Sequence, residues 1–157
     1  MKPDIELVRK WFAYDPETGV LSRKLTRRSN GSLWLNPDAH RVLFMGTQYQ
    51  VTHIIWVIYH GKWPDNFIDH INHDRKDRRI VNLREADYNQ NCWNRLERNM
   101  NGKGVYHGGD STLRPWKAQI QVNNKYVYLG RYETKEEAHQ AYREAALKYH
   151  GEFACLD

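Results

Sequence analysis

An α+β fold in two small domains is what this sequence predicts, and three observations carry the expectation. Through the first 93 residues, short apolar runs bounded by turn residues alternate with helical patterns. Residues 94–103 are rich in Asn, Arg and Gly and poor in apolar side chains, which reads as a linker. From 104 onward two or three strands are followed by one amphipathic helix, a compact module of its own. The expected domains are therefore 1–93 and 104–157, joined through 94–103.

Composition bounds the function more than it names it. The 157 residues suffice for one ordinary domain or two small ones. Charged residues make up 27% and hydrophobic residues 40%, the balance of a folding chain rather than a disordered tail. No apolar run approaches the roughly 20 residues a membrane span needs. The opening MKPDIELVRKWF carries acids and lacks a signal peptide's apolar core. Cys92 and Cys155 are too few for a disulfide framework or a four-cysteine zinc site, so a reducing cytoplasmic setting is expected. The net charge of +5 fits a nucleic acid, another anionic surface or no particular partner. Its excess lies mostly in the N-terminal third, at Arg23, Lys24, Arg27 and Arg28, a solvated loop or a phosphate-contacting one.

In chain order, Ile5, Val8, Trp11 and Phe12 at helical spacing predict a short helix over 4–13. Tyr14-Asp15-Pro16-Glu17-Thr18-Gly19 reads as a turn, and Val20-Leu21 opens a strand. Val51, Ile54, Ile55, Ile58 and Tyr59 line one face of a helix that Gly61 stops. After the breaker Trp63-Pro64 come a strand over 67–71, a turn at Asn72-His73-Asp74 and a second strand at Ile80-Val81. A helix is expected from about Glu85 to Arg98. Residues 116–122 alternate apolar and polar, Asn123-Asn124 turns the chain, and 126–129 return, with Gly130-Arg131-Tyr132 ending the sheet. Thr134 and Glu137 form a capping box ahead of Ala138, Ala141, Tyr142, Ala145 and Tyr149, and Gly151 closes that helix.

The chemistry concentrates in the middle, at Asp69-His70, Asn82 and Asn91. A carboxylate and an amide oxygen are hard donors suited to Mg²⁺ or Mn²⁺ rather than to thiolate-seeking metals. An imidazole beside them can take a proton from a water attacking a phosphodiester. From the residues alone a second reading stays open: Asp-His as a turn feature and Asn82 as a cap.

The stretch from His53 through Asn94 resembles the HNH nuclease motif of phage and intron homing endonucleases, a ββα-metal fold. Gly61-Lys62-Trp63-Pro64, Asp69-His70, Asn82-Leu83-Arg84 and Asn91 carry the resemblance, with gaps of 12 and 9 residues between His70, Asn82 and Asn91. The segment 14–19 resembles the leader of many phage members. The resemblance implies His70 as the general base and Asn82 as the residue that pins the loop and orients it. It implies Asp69 and Asn91 as ligands of a single divalent metal, Mg²⁺ with Mn²⁺ able to substitute. Two positions depart from the family: Arg78 stands where many members carry Asn, and His73 where they carry Gly. Arg78 is then expected to contact a phosphate, as are Arg84, Asn94 and Arg95, with ion pairs to Glu85 or Glu97 as the competing account. His73 is a turn histidine or a ligand, and His53 frames the site or packs a helix.

On strand 116–122, Trp116, Ala118, Ile120 and Val122 are expected to face the helix. Lys117, Gln119 and Gln121 are expected on the other face with Tyr126 and Tyr128, a surface of donors, acceptors, a cation and aromatic planes. Gly104-Val105-Tyr106, Trp116-Lys117-Ala118, Leu129-Gly130-Arg131-Tyr132, Glu136-Glu137-Ala138 and His150-Gly151-Glu152-Phe153-Ala154 closely resemble an AP2 DNA-binding domain. That resemblance implies a three-stranded antiparallel sheet set in the major groove and braced by one helix, with Lys117, Gln119, Gln121, Tyr126, Tyr128 and Arg131 toward DNA. Together the two halves read as a phage-type, homing DNA endonuclease acting on double-stranded DNA in the host cytoplasm. It is expected to nick as a monomer, or to make double-strand breaks through dimerisation or sequential nicks. The rival is a non-catalytic DNA-binding protein with a degenerate nuclease half.

Overall fold

A computed structural model describes residues 2–24, 35, 38–96, 101–108 and 113–156. Arg27 and Arg28 of the basic cluster, and Arg98 at the end of an expected helix, lie outside the described residues. The chain falls into two compact units, Met1–Asp87 and Tyr88–Asp157. Helices and antiparallel strands occur in both, as an α+β fold requires. Among the described residues no helix is long and apolar enough to cross a membrane.

The first unit opens with helix α1, Ile5–Trp11, whose N-terminal amides Glu6 and Leu7 donate to the Asp4 carboxylate. Strands β1, Phe12–Tyr14, and β2, Leu21–Arg23, pair antiparallel around the turn at 15–19. That turn is held from within: Thr18 Oγ1 and the Glu17 amide both donate to Asp15, at 2.7 and 3.0 Å. Strands β3, Arg41–Phe44, and β4, Thr47–Gln50, make a second hairpin. Helix α2, Val51–His60, ends on Gly61 in the left-handed conformation. Its buried face, Val51, Ile54, Ile55 and Val57, packs with Val8, Phe12, Val42, Phe44, Ile68 and Leu83 into one core. Each fully buried Ile or Phe there contributes about 1.5–3 kcal/mol relative to exposure. On this core sits the antiparallel pair β5, Phe67–His70, and β6, Leu83–Ala86.

Two local expectations are corrected here. Ile80-Val81 is not strand but the start of a 3₁₀ turn, Ile80–Asn82, and the strand begins at Leu83. The register decides it: His70 pairs with Leu83 and Phe67 with Ala86. The helix expected from Glu85 shortens to α3, Tyr88–Trp93. Glu85 and Ala86 are taken by β6, where Ala86 is buried and the Glu85 carboxylate accepts from the Asp65 and Asn66 amides at 2.7 and 2.8 Å. Tertiary pairing overrides local helix propensity at those two residues.

The second unit contains α3, then the sheet β7–β8–β9 (Val105–His107, Trp116–Val122 and Lys125–Tyr132), antiparallel throughout. Asn123 and Asn124 both take positive φ in the tight turn between β8 and β9. Helix α4, Lys135–His150, starts on the full capping box of Thr134 and Glu137. Its Ala138, Tyr142, Ala145 and Ala146 pack on Val105, Ala118 and Ile120. The expected linker residues 101–103 belong to this unit, and the Lys103 ammonium donates to the carbonyls of Trp93 and Arg95. Trp93 stacks on His150 at 4.3 Å between ring centroids.

Candidate active site

Strand alternation places Asp69 and His70 on opposite sides of β5. Asp69 stands opposite Arg84 in the β5–β6 register, and Arg84 Nε donates to Asp69 Oδ2 at 3.0 Å. Both side chains are nearly buried, at 10% and 12% exposure, so this is a pair in low dielectric and not a surface bridge. Arg84 was expected to meet phosphate, or to pair with Glu85; its ion pair is with Asp69 instead.

His70 ends β5, half-buried. Burial holds its pKa below the ordinary imidazole value, with Asp69 opposing and Arg78 and Arg75 adding to the depression. A neutral imidazole at neutral pH is what a general base needs.

The loop from Ile71 to Arg79 is organised by Asn82, itself buried. Asn82 Oδ1 accepts from the Asn72 amide at 2.9 Å, while Nδ2 donates to Asn72 Oδ1 at 2.9 Å and to the Asp77 carbonyl at 2.8 Å. Its backbone carbonyl accepts from Ile71, next to His70, and the His73 amide donates to the His70 carbonyl at 3.1 Å. Asp77 accepts from Asn72 Nδ2 and from the Arg79 guanidinium at two points, 2.8 and 2.7 Å. Those donors, Arg79 first, hold the Asp77 carboxyl far below the ordinary carboxylate range.

Arg78 departs from its expected role. It is buried at 8% exposure, and its Nη2 donates to the Ala39 carbonyl at 2.7 Å. Tyr14 Oη donates to the Arg78 carbonyl at 2.7 Å. The Arg78 guanidinium is thus turned into the protein. His73, at φ 65, is a half-buried residue of the loop. His53 lies on α2, its Nε2 buried with no hydrogen-bond partner among the described residues, and burial lowers its pKa.

The first unit thus joins Asp69 to Arg84 on one side of β5 and ties Asn82, Asn72 and Asp77 into the loop that follows His70, with Asn72 and Asp77 as members that spacing did not reveal. A signal for them existed in the Asx-rich run 72–77, since Asn and Asp build turns by bonding nearby backbone. Asn91 lies on α3, in the second unit. Asn94 is buried, which removes it from a DNA-facing surface, while Arg95 is exposed.

On the sheet of the second unit, Lys117 pairs with Arg131, Gln119 with Tyr128 and Gln121 with Tyr126. These six share one face, opposite buried Ala118 and Ile120. Tyr126 and Tyr128 are largely exposed, and Lys117 Nζ lies 5.8 Å from the Tyr128 ring centroid. Register adds Tyr106, which stands opposite Lys117 from β7.

Residues 49–91 match the HNH endonuclease family. The matched span runs from the end of β4 to Asn91 and includes α2, both strands of the β5–β6 pair, His70 and Asn82. It supports an HNH endonuclease domain in this part of the chain. No curated protein and no solved structure matches the chain.

HNH nucleases generally use a divalent metal. Among the described residues no group of three or more His, Cys, Asp or Glu side chains could cage an ion. What the HNH segment offers is oxygen chemistry, a buried carboxylate at Asp69 and the amide of Asn91. A hard oxygen donor such as the Asp69 carboxylate suits an ion that keeps waters and takes substrate oxygens rather than one needing a full protein cage.

Proposed function

We propose that this chain is a site-directed, homing-type endonuclease that hydrolyses phosphodiester bonds of double-stranded DNA with one divalent metal per active site. The single observation that carries the reading is the HNH match at 49–91, falling on the hairpin where His70 sits beside Asn82 and its pinned loop. In this proposal His70, kept neutral by burial, accepts the proton of the attacking water. Asn82 keeps the loop and strand end in place, so that the imidazole does not have to be ordered at the moment of reaction. Asp69 and Asn91 would hold the ion, Mg²⁺ with Mn²⁺ able to replace it, and Arg84 neutralises and orients the Asp69 carboxylate. When bound, that ion stabilises the charge that builds on the phosphate oxygens.

The second unit is proposed as an AP2-like DNA-reading module. A three-stranded antiparallel sheet on one helix supports this, as does the outer face of Lys117, Gln119, Gln121, Tyr126, Tyr128 and Arg131. With one such site per chain, the expected product is a nick, and double-strand breaks need a second copy or a second event.

The test is conversion of supercoiled DNA carrying the target to open circle, with and without Mg²⁺, beside His70→Ala. Removing the base is expected to slow cleavage by at least about a hundredfold while a gel shift is retained. Binding without cleavage by the wild-type chain would replace this reading with that of a non-catalytic DNA-binding protein.

A further inference from the structure

We propose that the Tyr14–Gly19 turn is a positioning device for the active-site loop, with Tyr14 and Arg78 as positioning residues that set the rate of cleavage without touching DNA. The proposal rests on the nuclease reading above.

The loop after His70 is held on two sides. On its inner side Asn82 grips Asn72 and the Asp77 carbonyl. On its outer side the N-terminal segment grips the next residues along. Tyr14 Oη donates to the Arg78 carbonyl at 2.7 Å. The Arg78 guanidinium reaches past it to the Ala39 carbonyl at 2.7 Å. Lys76 pairs with Asp38 at 2.7 Å. Gly19, at φ 74, lies so close that a Cβ there would sit 2.7 Å from the Arg79 nitrogen and 2.8 Å from the Arg78 carbonyl carbon. Backbone meets backbone with no room for a side chain, a close approach that glycine alone permits.

The two grips act on adjacent peptide groups. The Arg78 carbonyl accepts from Tyr14, and the carbonyl immediately before it, that of Asp77, accepts from Asn82. The two groups share the Arg78 Cα, and the planar 77–78 peptide holds the Asp77 carbonyl rigidly to that atom, so a displacement of the Arg78 Cα moves the acceptor on which Asn82 depends. Asn82 in turn bonds Ile71 and Asn72, the residues that follow His70. Burial raises the Tyr14 phenol well above its ordinary pKa, so it remains a donor across any working pH. None of this needs DNA: Arg78 is buried, and Tyr14 is half-buried against it.

The experiment is Tyr14→Phe in the full chain, which removes one hydroxyl and keeps the ring, read by single-turnover cleavage, DNA affinity, thermal midpoint and hydrogen exchange at Asn72 and His73. Cleavage is expected to slow roughly ten- to hundredfold, the range seen when a supporting partner of an active-site group is lost. DNA affinity should be unchanged, and the Asn72 amide should exchange faster. Arg78→Lys, which keeps a donor for Ala39, should retain more of the rate than Arg78→Met. Wild-type cleavage with an unaltered rate in a folded Tyr14→Phe would overturn the positioning role and leave the nuclease reading standing. A rate loss matched by an equal loss of DNA affinity, or scaling only with the thermal midpoint in both Arg78 variants, would also overturn it. No cleavage by the wild-type chain would overturn both.

Discussion

Asp77 shows how one side chain in the loop makes stability depend on pH. Its carboxyl is depressed by the Arg79 guanidinium and by Asn72, so the folded state favours the ionised form more than the unfolded chain does. A depressed folded pKa gives stability that is fully present above the unfolded value, near 3.8, and is lost as pH falls toward the folded one. The urea midpoint of the wild-type chain should therefore drop below about pH 4, and Asp77→Asn should show a shallower drop over that window. Parallel curves for the two proteins would remove Asp77 from the account. At the same scale, Arg78, expected to contact a phosphate because it stands where many members of the resembled family carry Asn, is buried and donates to the Ala39 carbonyl, 39 residues away in sequence. Nothing within a turn of Arg78 reveals that acceptor.

At the scale of elements, the turn at 15–19 was legible because its determinants are local: Asp15 accepts from Glu17 and Thr18, and Gly19 supplies the positive φ. What it packs against was not legible. Gly19→Ala tests that contact. The left-handed backbone alone costs an L-residue about 1–2 kcal/mol, and the approach to Arg78 and Arg79 should add to it. A chemical denaturation midpoint lowered by more than the backbone figure is the expected result; a smaller loss would mean the loop moves away freely. Strand β6 teaches the same lesson from the other side. Its composition fits a helix start, but pairing with Phe67–His70 claims Leu83–Ala86 as strand. By contrast α2, β8, the Asn123-Asn124 turn and the capping box of α4 follow periodicity and turn chemistry, which act over a few residues.

At the scale of the whole molecule, the cationic and aromatic face of the second unit is the surface proposed to meet DNA. If Lys117 meets a phosphate there, Lys117→Ala should weaken binding across sequences and reduce the slope of log affinity against log salt by about 1. Binding isotherms at several salt concentrations check this, and an unchanged slope would take Lys117 off the interface. That face also depends on a feature no periodicity reveals. Between Ala118 and Gln119 the β8–β9 register slips, so Tyr126, Tyr128 and Arg131 line up on one side despite their uneven spacing.

The sequence by itself determined the α+β character and most helix limits and turns, because side-chain period and capping are local properties, and it singled out Asp69, His70, Asn82 and Asn91 as candidates through a resemblance carried by short motifs. Only the tertiary structure decided that Arg84 neutralises Asp69, that Arg78 faces inward, and that the N-terminal turn grips the loop beside His70. Those facts are set by pairing between residues 15, 39 and 64 positions apart, and such partners are selected by packing and burial rather than by any short pattern along the chain.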